Sequence, residues 1–246
     1  MSFILETRGL RKHFGALQAI NGIDFKLEKG EVRAIIGPNG AGKSTFFNLL
    51  TGTISPSEGE IFFQNENITG LRPEQVSQKG IARSYQITNI LLNLSAYENV
   101  RIAAQSKQRS FDPLRHYSTL KETDRQARAI LEILQINPDK GKPASALSHG
   151  EQRRLEIAIG LATQPSLLLL DEPTAGMSPT ETDEIIALVK KISGGLTIVI
   201  VEHDMKVVMQ LAQKISVLYY GEILAEGTPE EIRNNERVLE VYLGHN

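Results

Sequence analysis

Residues Gly37-Pro38-Asn39-Gly40-Ala41-Gly42-Lys43-Ser44 set three glycines, a lysine and a hydroxyl into eight positions. This is the phosphate-loop pattern, and its chemistry explains its spacing. Glycines let the backbone wrap where a Cβ would block it. Their amide N–H groups then converge on an anion, and the helix that starts at Lys43 adds the positive end of its dipole. Lys43 has the reach for the terminal phosphates of a nucleoside triphosphate, and the Ser44 hydroxyl is a magnesium ligand, with Thr45 beside it. A glycine-rich turn that fits by chance is the plainer alternative. The apolar run before the loop and the helical pattern after it argue against that.

A second constellation is Leu167-Leu168-Leu169-Leu170-Asp171-Glu172, an apolar run that ends in two carboxylates. At the C-terminal edge of a strand, Asp171 faces the coordination shell of magnesium. Glu172 is then placed to polarise an attacking water. Alone, the pair reads equally as a buried strand followed by solvated acids. A phosphate loop in the same chain favours hydrolysis of a magnesium-bound triphosphate, with no covalent intermediate. There is no Asn-Lys-x-Asp guanine segment and no kinase catalytic loop, so ATP is the expected nucleotide.

Such groups need a sheet to position them. Residues 32–36, 167–170, 197–201 and 215–219 are short apolar runs, which read as buried strands of a parallel sheet covered on both faces. Helical patterns at 43–50, 151–162, 179–192 and 205–213 lie between them, which predicts an α/β sandwich with right-handed crossovers. Residues 4–10 and 19–27 alternate, and 60–64 follow a turn at 56–59, which predicts an antiparallel β edge. From about residue 88 to about 160 the pattern is mainly helical, with Ala127, Ile130, Leu131 and Leu134 at helical spacing. Residues 105–120 are polar and read as a surface loop or frayed helix. The chain is thus read as one domain, 1–246, with a core of 1–87 and 161–246 and a helical insertion at 88–160.

Composition sets limits. There are 27 basic and 29 acidic residues and a net charge of −2, so no basic excess exists to neutralise nucleic-acid phosphates. There is no cysteine, which excludes disulfides and fits a reducing compartment. The first ten residues lack the pattern of a secretory signal. The apolar runs at 166–170 and 196–201 are far too short to span a bilayer as a helix. A membrane role must therefore come through a partner.

Leu147-Ser148-His149-Gly150-Glu151-Gln152, upstream of the acidic run, is the discriminating feature. With it the sequence resembles the nucleotide-binding subunits of ABC transporters over essentially its whole length. The resemblance implies a P-loop NTPase sandwich of the ABC ATPase type, with ATP and magnesium as cofactors. Ser148 and the Gly150 N–H sit at the start of a helix, which is a second anion-binding terminus. Ser148 is equally a helix N-cap. In the family, this signature of one subunit closes on ATP held by another, so a dimer is implied. His149 stands where the commonest form has glycine.

The resemblance assigns further residues. Gln86, in Arg83-Ser84-Tyr85-Gln86, is implied as a magnesium contact and a relay to the membrane partner. His203 matches the switch histidine, which holds the γ-phosphate and supports Glu172. Phe14 matches the aromatic that stacks on adenine. Ser178 stands where many relatives have aspartate, and a hydroxyl bonds across an interface more weakly than a charge. The implied partners are a second ATP-binding subunit (identical or not), two integral membrane permease subunits and an extracytoplasmic solute-binding protein. The implied location is the cytoplasmic face of the inner membrane, held through the permease.

Within the family, Gly80-Ile81-Ala82-Arg83-Ser84-Tyr85-Gln86, Ala175-Gly176-Met177, Glu202-His203-Asp204-Met205 and Val241-Tyr242-Leu243-Gly244 resemble the branched-chain amino-acid importer group. The implied cargo is a hydrophobic amino acid, with a urea importer or a lipopolysaccharide exporter as alternatives. A soluble ABC ATPase acting on nucleic acid or ribosomes is the alternative of another class. Such proteins usually carry two motors in tandem or a long coiled coil, and this chain shows neither.

Overall fold

Residues 3–84, 90–106, 116–137 and 141–243 are described by the structure, a computed structural model. Two sheets organise it. Strands β1 (Phe3–Phe14), β2 (Leu17–Glu28), β4 (Glu58–Phe63) and β5 (Glu66–Asn67) form an antiparallel sheet in the order β2-β1-β4-β5. Strands β3 (Val32–Ile36), β6 (Ile81–Ser84), β7 (Leu167–Asp171), β8 (Thr197–Val201), β9 (Lys214–Tyr219) and β10 (Glu222–Gly227) form the second, in the order β10-β9-β3-β8-β7-β6. Its pairs are parallel except for the β9–β10 hairpin.

Every residue of β3, β7 and β8 is buried, which is why, apart from Arg33, Asp171 and Thr197, their sequences are apolar rather than alternating. The period of two still sorts the side chains by face. Leu168, Leu170, Ile198 and Ile200 enter one core cluster, under the helices. Leu167, Leu169, Val199 and Val201 enter another, against the antiparallel sheet and the helix α1 (Lys43–Leu50). Phe25 of β2 and Phe46 of α1 meet edge to face there, with centroids 5.5 Å apart.

Between β6 and β7 run the helices α3 (Ala96–Gln105), α4 (His116–Ile133) and α5 (His149–Ala162), with a 3-10 turn at Ala144–Ala146. Both α4 and α5 pack on α3, through a core that includes Val100, Ala127, Leu131 and Leu155. Beyond β7 follow α6 (Pro179–Ile192), α7 (Met205–Leu211), α8 (Pro229–Arg233) and α9 (Glu236–Leu243). None of the described helices is long and apolar enough to cross a membrane.

The structure departs from the periodicity reading at the edges of elements. The first two strands extend past the alternating stretches, because their ladder continues through Lys12 and His13 to the Phe14–Leu17 pair. The short α2 (Pro73–Lys79), β5, β6, β10, α8 and α9 carry too few residues for a period to register. Of the polar stretch 105–120, α3 ends at Gln105 and α4 begins at His116.

Candidate active site

The phosphate loop leaves β3 at a fully buried Ile36 and turns sharply into α1. Gly42 precedes the helix at φ 105°, and a Cβ there would lie 2.6 Å from the Ala19 carbonyl oxygen. A Cβ on Gly37 would lie 2.2 Å from the Leu218 carbonyl oxygen. Both positions therefore need glycine for close approach as well as for backbone conformation. The loop is braced from behind by the β9–β10 turn. Gly221 N–H donates to Ala41 O at 2.9 Å, and Asn21 N–H donates to Gly221 O at 2.8 Å. Asn39, Gly40 and Ser44 stay exposed, while Pro38 and Thr45 are half-buried and Ala41 is buried. Gly42 has no side chain to cap α1, so the first amides of the helix are left for an anion.

Lys43 is buried, and its ammonium donates to Gly37 O at 2.7 Å and Pro38 O at 3.0 Å. Burial lowers its pKa, and the charges of Glu172 and Asp171 oppose that shift. The loop's own carbonyls thus hold the ammonium close to where phosphate oxygens would arrive.

Glu172 follows β7 at φ 47°, in the left-handed region that costs a non-glycine residue about 1–2 kcal/mol. Its surroundings fix that conformation. Glu172 N–H donates to Val201 O at 2.8 Å. From α5, the Arg153 guanidinium donates to the carbonyls of Asp171 (2.7 Å), Glu172 and Pro173 (3.3 Å), and pairs with Glu156 at 2.5 Å. The Glu172 carboxylate meets the His203 imidazole, with Oε1 2.6 Å from Nε2. Two residues that the sequence singled out separately, 31 positions apart, are therefore one hydrogen-bonded pair. An ionised carboxylate only accepts, so the ring N–H donates.

Asp171 is buried at the end of β7, and its carboxylate pairs with the Arg83 guanidinium at 2.7 Å. Arg83 also donates to Asn48 of α1 at 2.6 Å, so it links the phosphate-loop helix to the acidic strand. The Ser44 hydroxyl and Asp171 carboxylate are hard oxygen donors. That set fits magnesium, which binds through one or two carboxylates together with substrate phosphates. No cluster of three or more His, Cys, Asp or Glu exists among the described residues, as an all-protein cage would need. Gln86 lies outside the described residues.

Phe14 stands 49% exposed at the β1 hairpin, with the Lys12 ammonium 5.2 Å from its ring centroid. An exposed ring face suits stacking on a base. Ser148 is the N-cap of α5. Its hydroxyl accepts from Glu151 N–H at 3.2 Å, and the Glu151 carboxylate accepts from Ser148 N–H at 2.9 Å. Accepting leaves a hydroxyl its own proton to donate. Gly150 lies against the Glu181 carboxylate, where a Cβ would be 2.9 Å from Oε1. Ser178 caps α6 in the same manner, and its hydroxyl donates to Glu181 at 2.7 Å. The hydroxyl at the usual aspartate position is thus engaged within its own helix.

Sequence reading gave no role to Arg83, Arg153 or Glu202. For Arg153 a signal existed: with Glu156 it falls on the buried face of α5 that holds Gly150, Ile157 and Gly160. A charge pair on an apolar helical face marks an internal ion pair. Arg83 and Glu202 leave no such trace.

The family model described as ABC transporter matches residues 20–175, and one described as branched-chain amino acid ATP-binding cassette transporter matches 222–246. The high-affinity branched-chain amino acid transport ATP-binding protein BraF of Pseudomonas aeruginosa is 39% identical, over 98% of this chain and 98% of its own. The ADP conformation of an ATP-binding cassette of an ABC transporter superposes with a TM-score of 0.86 at 31% identity, covering all of both chains (100% and 100%). A dimeric post-hydrolysis cassette bound to ADP and Pi superposes with a TM-score of 0.78 at 27% identity, over 92% of this chain and 98% of that one.

Proposed function

This chain belongs to the ABC transporter family of ATP-hydrolysing subunits, and we propose that it drives import of branched-chain amino acids. The observation that carries the motor assignment is the Glu172–His203 pair at 2.6 Å, set beside a phosphate loop that ends in Lys43. In this reading Phe14 stacks on adenine, while the backbone N–H groups of residues 39–45 and the Lys43 ammonium hold the phosphates, with Gly37 and Pro38 shaping the loop. Ser44, Asp171 and, by the family resemblance, Gln86 would hold magnesium, which would supply charge neutralisation. Glu172 orients water and takes its proton as the γ-phosphate is attacked in line. His203 fixes the Glu172 carboxylate and reaches the γ-phosphate. Ser148 and the Gly150 N–H of a second subunit close the site, with donors aimed where charge develops. Loss of the γ-phosphate removes that bridge, and the dimer opens.

The motor core is assigned to 1–87 and 161–246 and the arm to 88–160. A cavity of about 180 Å³ lies where they meet, lined by Val76, Ser77, Arg83, Ser84, Ile159 and Thr163. The end of β6 lines it, and it suits a short helix from a permease subunit at the cytoplasmic membrane face. The match of 222–246 to the branched-chain family supports amino acids over urea or lipopolysaccharide as cargo. No observation favours a nucleic-acid or ribosomal role.

Purification of the tagged chain from native membranes in mild detergent, with mass spectrometry of what stays bound, tests this. Two permease subunits, a second ATP-binding subunit and a solute-binding protein that takes leucine, isoleucine or valine are expected. A urea-binding partner would overturn the cargo. Ribosomal or DNA-associated partners without permeases would overturn the transporter reading.

A further inference from the structure

Glu202 follows β8 and is 3% exposed. Burying a carboxylate is costly unless donors satisfy it. Here three do. Oε1 accepts from Thr174 N–H at 3.0 Å and from the Thr174 hydroxyl at 2.7 Å, and Oε2 accepts from His203 N–H at 3.1 Å. Thr174 stands two residues past Glu172, and His203 bears the imidazole that meets Glu172. One carboxylate therefore ties together the backbones of the two loops that carry the catalytic pair. Five buried residues of β8 precede it, and an apolar side chain would continue that run without any need for donors.

We infer that Glu202 is a positioning residue that clips the loop after Glu172 to the loop of His203. The clip sets the height and angle at which the imidazole reaches the carboxylate. The need for it is visible in the exposure of the pair, since the His203 side chain is 45% exposed and would otherwise sample many orientations. The loop that starts at Thr174 runs on through Gly176 to Ser178, the N-cap of α6. The same carboxylate thus carries a shift in that loop to the catalytic histidine. A glutamine cannot replace it, because its NH₂ would face the His203 N–H, donor against donor.

The inference rests on the assignment of Glu172 and His203, and its test separates the two. Glu202→Gln in the full chain is assayed for ATP turnover, and the imidazole ¹⁵N resonances are followed with labelled histidine, of which the chain has five. The expected result is a kcat lowered on the order of tenfold to a hundredfold, with the ATP KM within about twofold. The His203 resonance moves toward that of a free imidazole. Thr174→Val keeps the buried carboxylate and gives the same pattern in weaker form, and it decides the matter if Glu202→Gln does not fold. An unmoved His203 resonance overturns the clip, as does turnover of Glu202→Gln at the wild-type rate when His203→Ala lowers it. If His203→Ala turns over normally while the resonance shift is seen, the catalytic assignment fails and the clip stands.

Discussion

Replacing Arg153 with methionine removes a clamp from the strained Glu172 and strands a charge. Arg153 holds three successive carbonyls, at Asp171, Glu172 and Pro173, from a position 8% exposed. A buried polar group left without its partner costs about 1–3 kcal/mol. The Glu156 carboxylate, also 8% exposed, loses its partner too, and breaking a buried ion pair costs about 3–5 kcal/mol. The two losses share one side chain and overlap, so the expected destabilisation is about 3–5 kcal/mol. That is a large part of the ~5–15 kcal/mol that holds a typical domain folded. The double variant Arg153→Met/Glu156→Leu discards the stranded charge and should recover about 1–3 kcal/mol of the loss. Urea unfolding followed by circular dichroism measures both, since the chain has no tryptophan. A single variant within about 1 kcal/mol of wild type, or a double variant less stable than the single, would refute the reasoning.

Other consequences concern the nucleotide. Phe14→Ala should weaken ATP binding by about 1 kcal/mol, roughly fivefold, with kcat at saturation unchanged, as calorimetric titration and steady-state kinetics would read. An unchanged affinity would place the adenine elsewhere. Gly42→Ala meets both a φ of 105° and the Ala19 carbonyl at 2.6 Å, so it should lose at least about tenfold in ATP affinity. Gly70→Ala is the control: φ is 72° but nothing lies within 4 Å of its Cβ, so thermal stability should fall by about 1–2 kcal/mol with ATP affinity intact. If the two variants bind ATP alike, crowding at the loop is not what selects Gly42.

The parts legible in the sequence are those in which one short stretch carries its own physical signal. The phosphate loop announces itself because glycine spacing and backbone wrapping are the same fact. Strands β3, β7 and β8 do so because burial on both faces leaves mainly apolar residues, with Arg33, Asp171 and Thr197 the exceptions. The capping role of Ser178 is legible too, since Ser178-Pro179-Thr180-Glu181 is the reciprocal cap pattern. The invisible parts are contacts across the fold. Arg83 finds Asp171 from 88 positions away, and Glu202 finds Thr174 from 28. Until the sheet brings β6 beside β7, a lone charge in sequence cannot be told from a solvated one. Strand β6 itself, four residues long, exists through its pairing with β7 rather than through its own pattern.

Glu172→Gln keeps the size and polarity of the side chain and removes its ability to take a proton. Mixed with magnesium and ATP, this variant should bind nucleotide as wild type does and hydrolyse it about 10²–10⁴-fold more slowly. With the γ-phosphate retained, the closed dimer should accumulate and register as a doubled mass in light scattering. Turnover at the wild-type rate, or a loss of turnover that merely follows a loss of ATP binding, would contradict the account of Glu172 as the base of an ATP-driven motor.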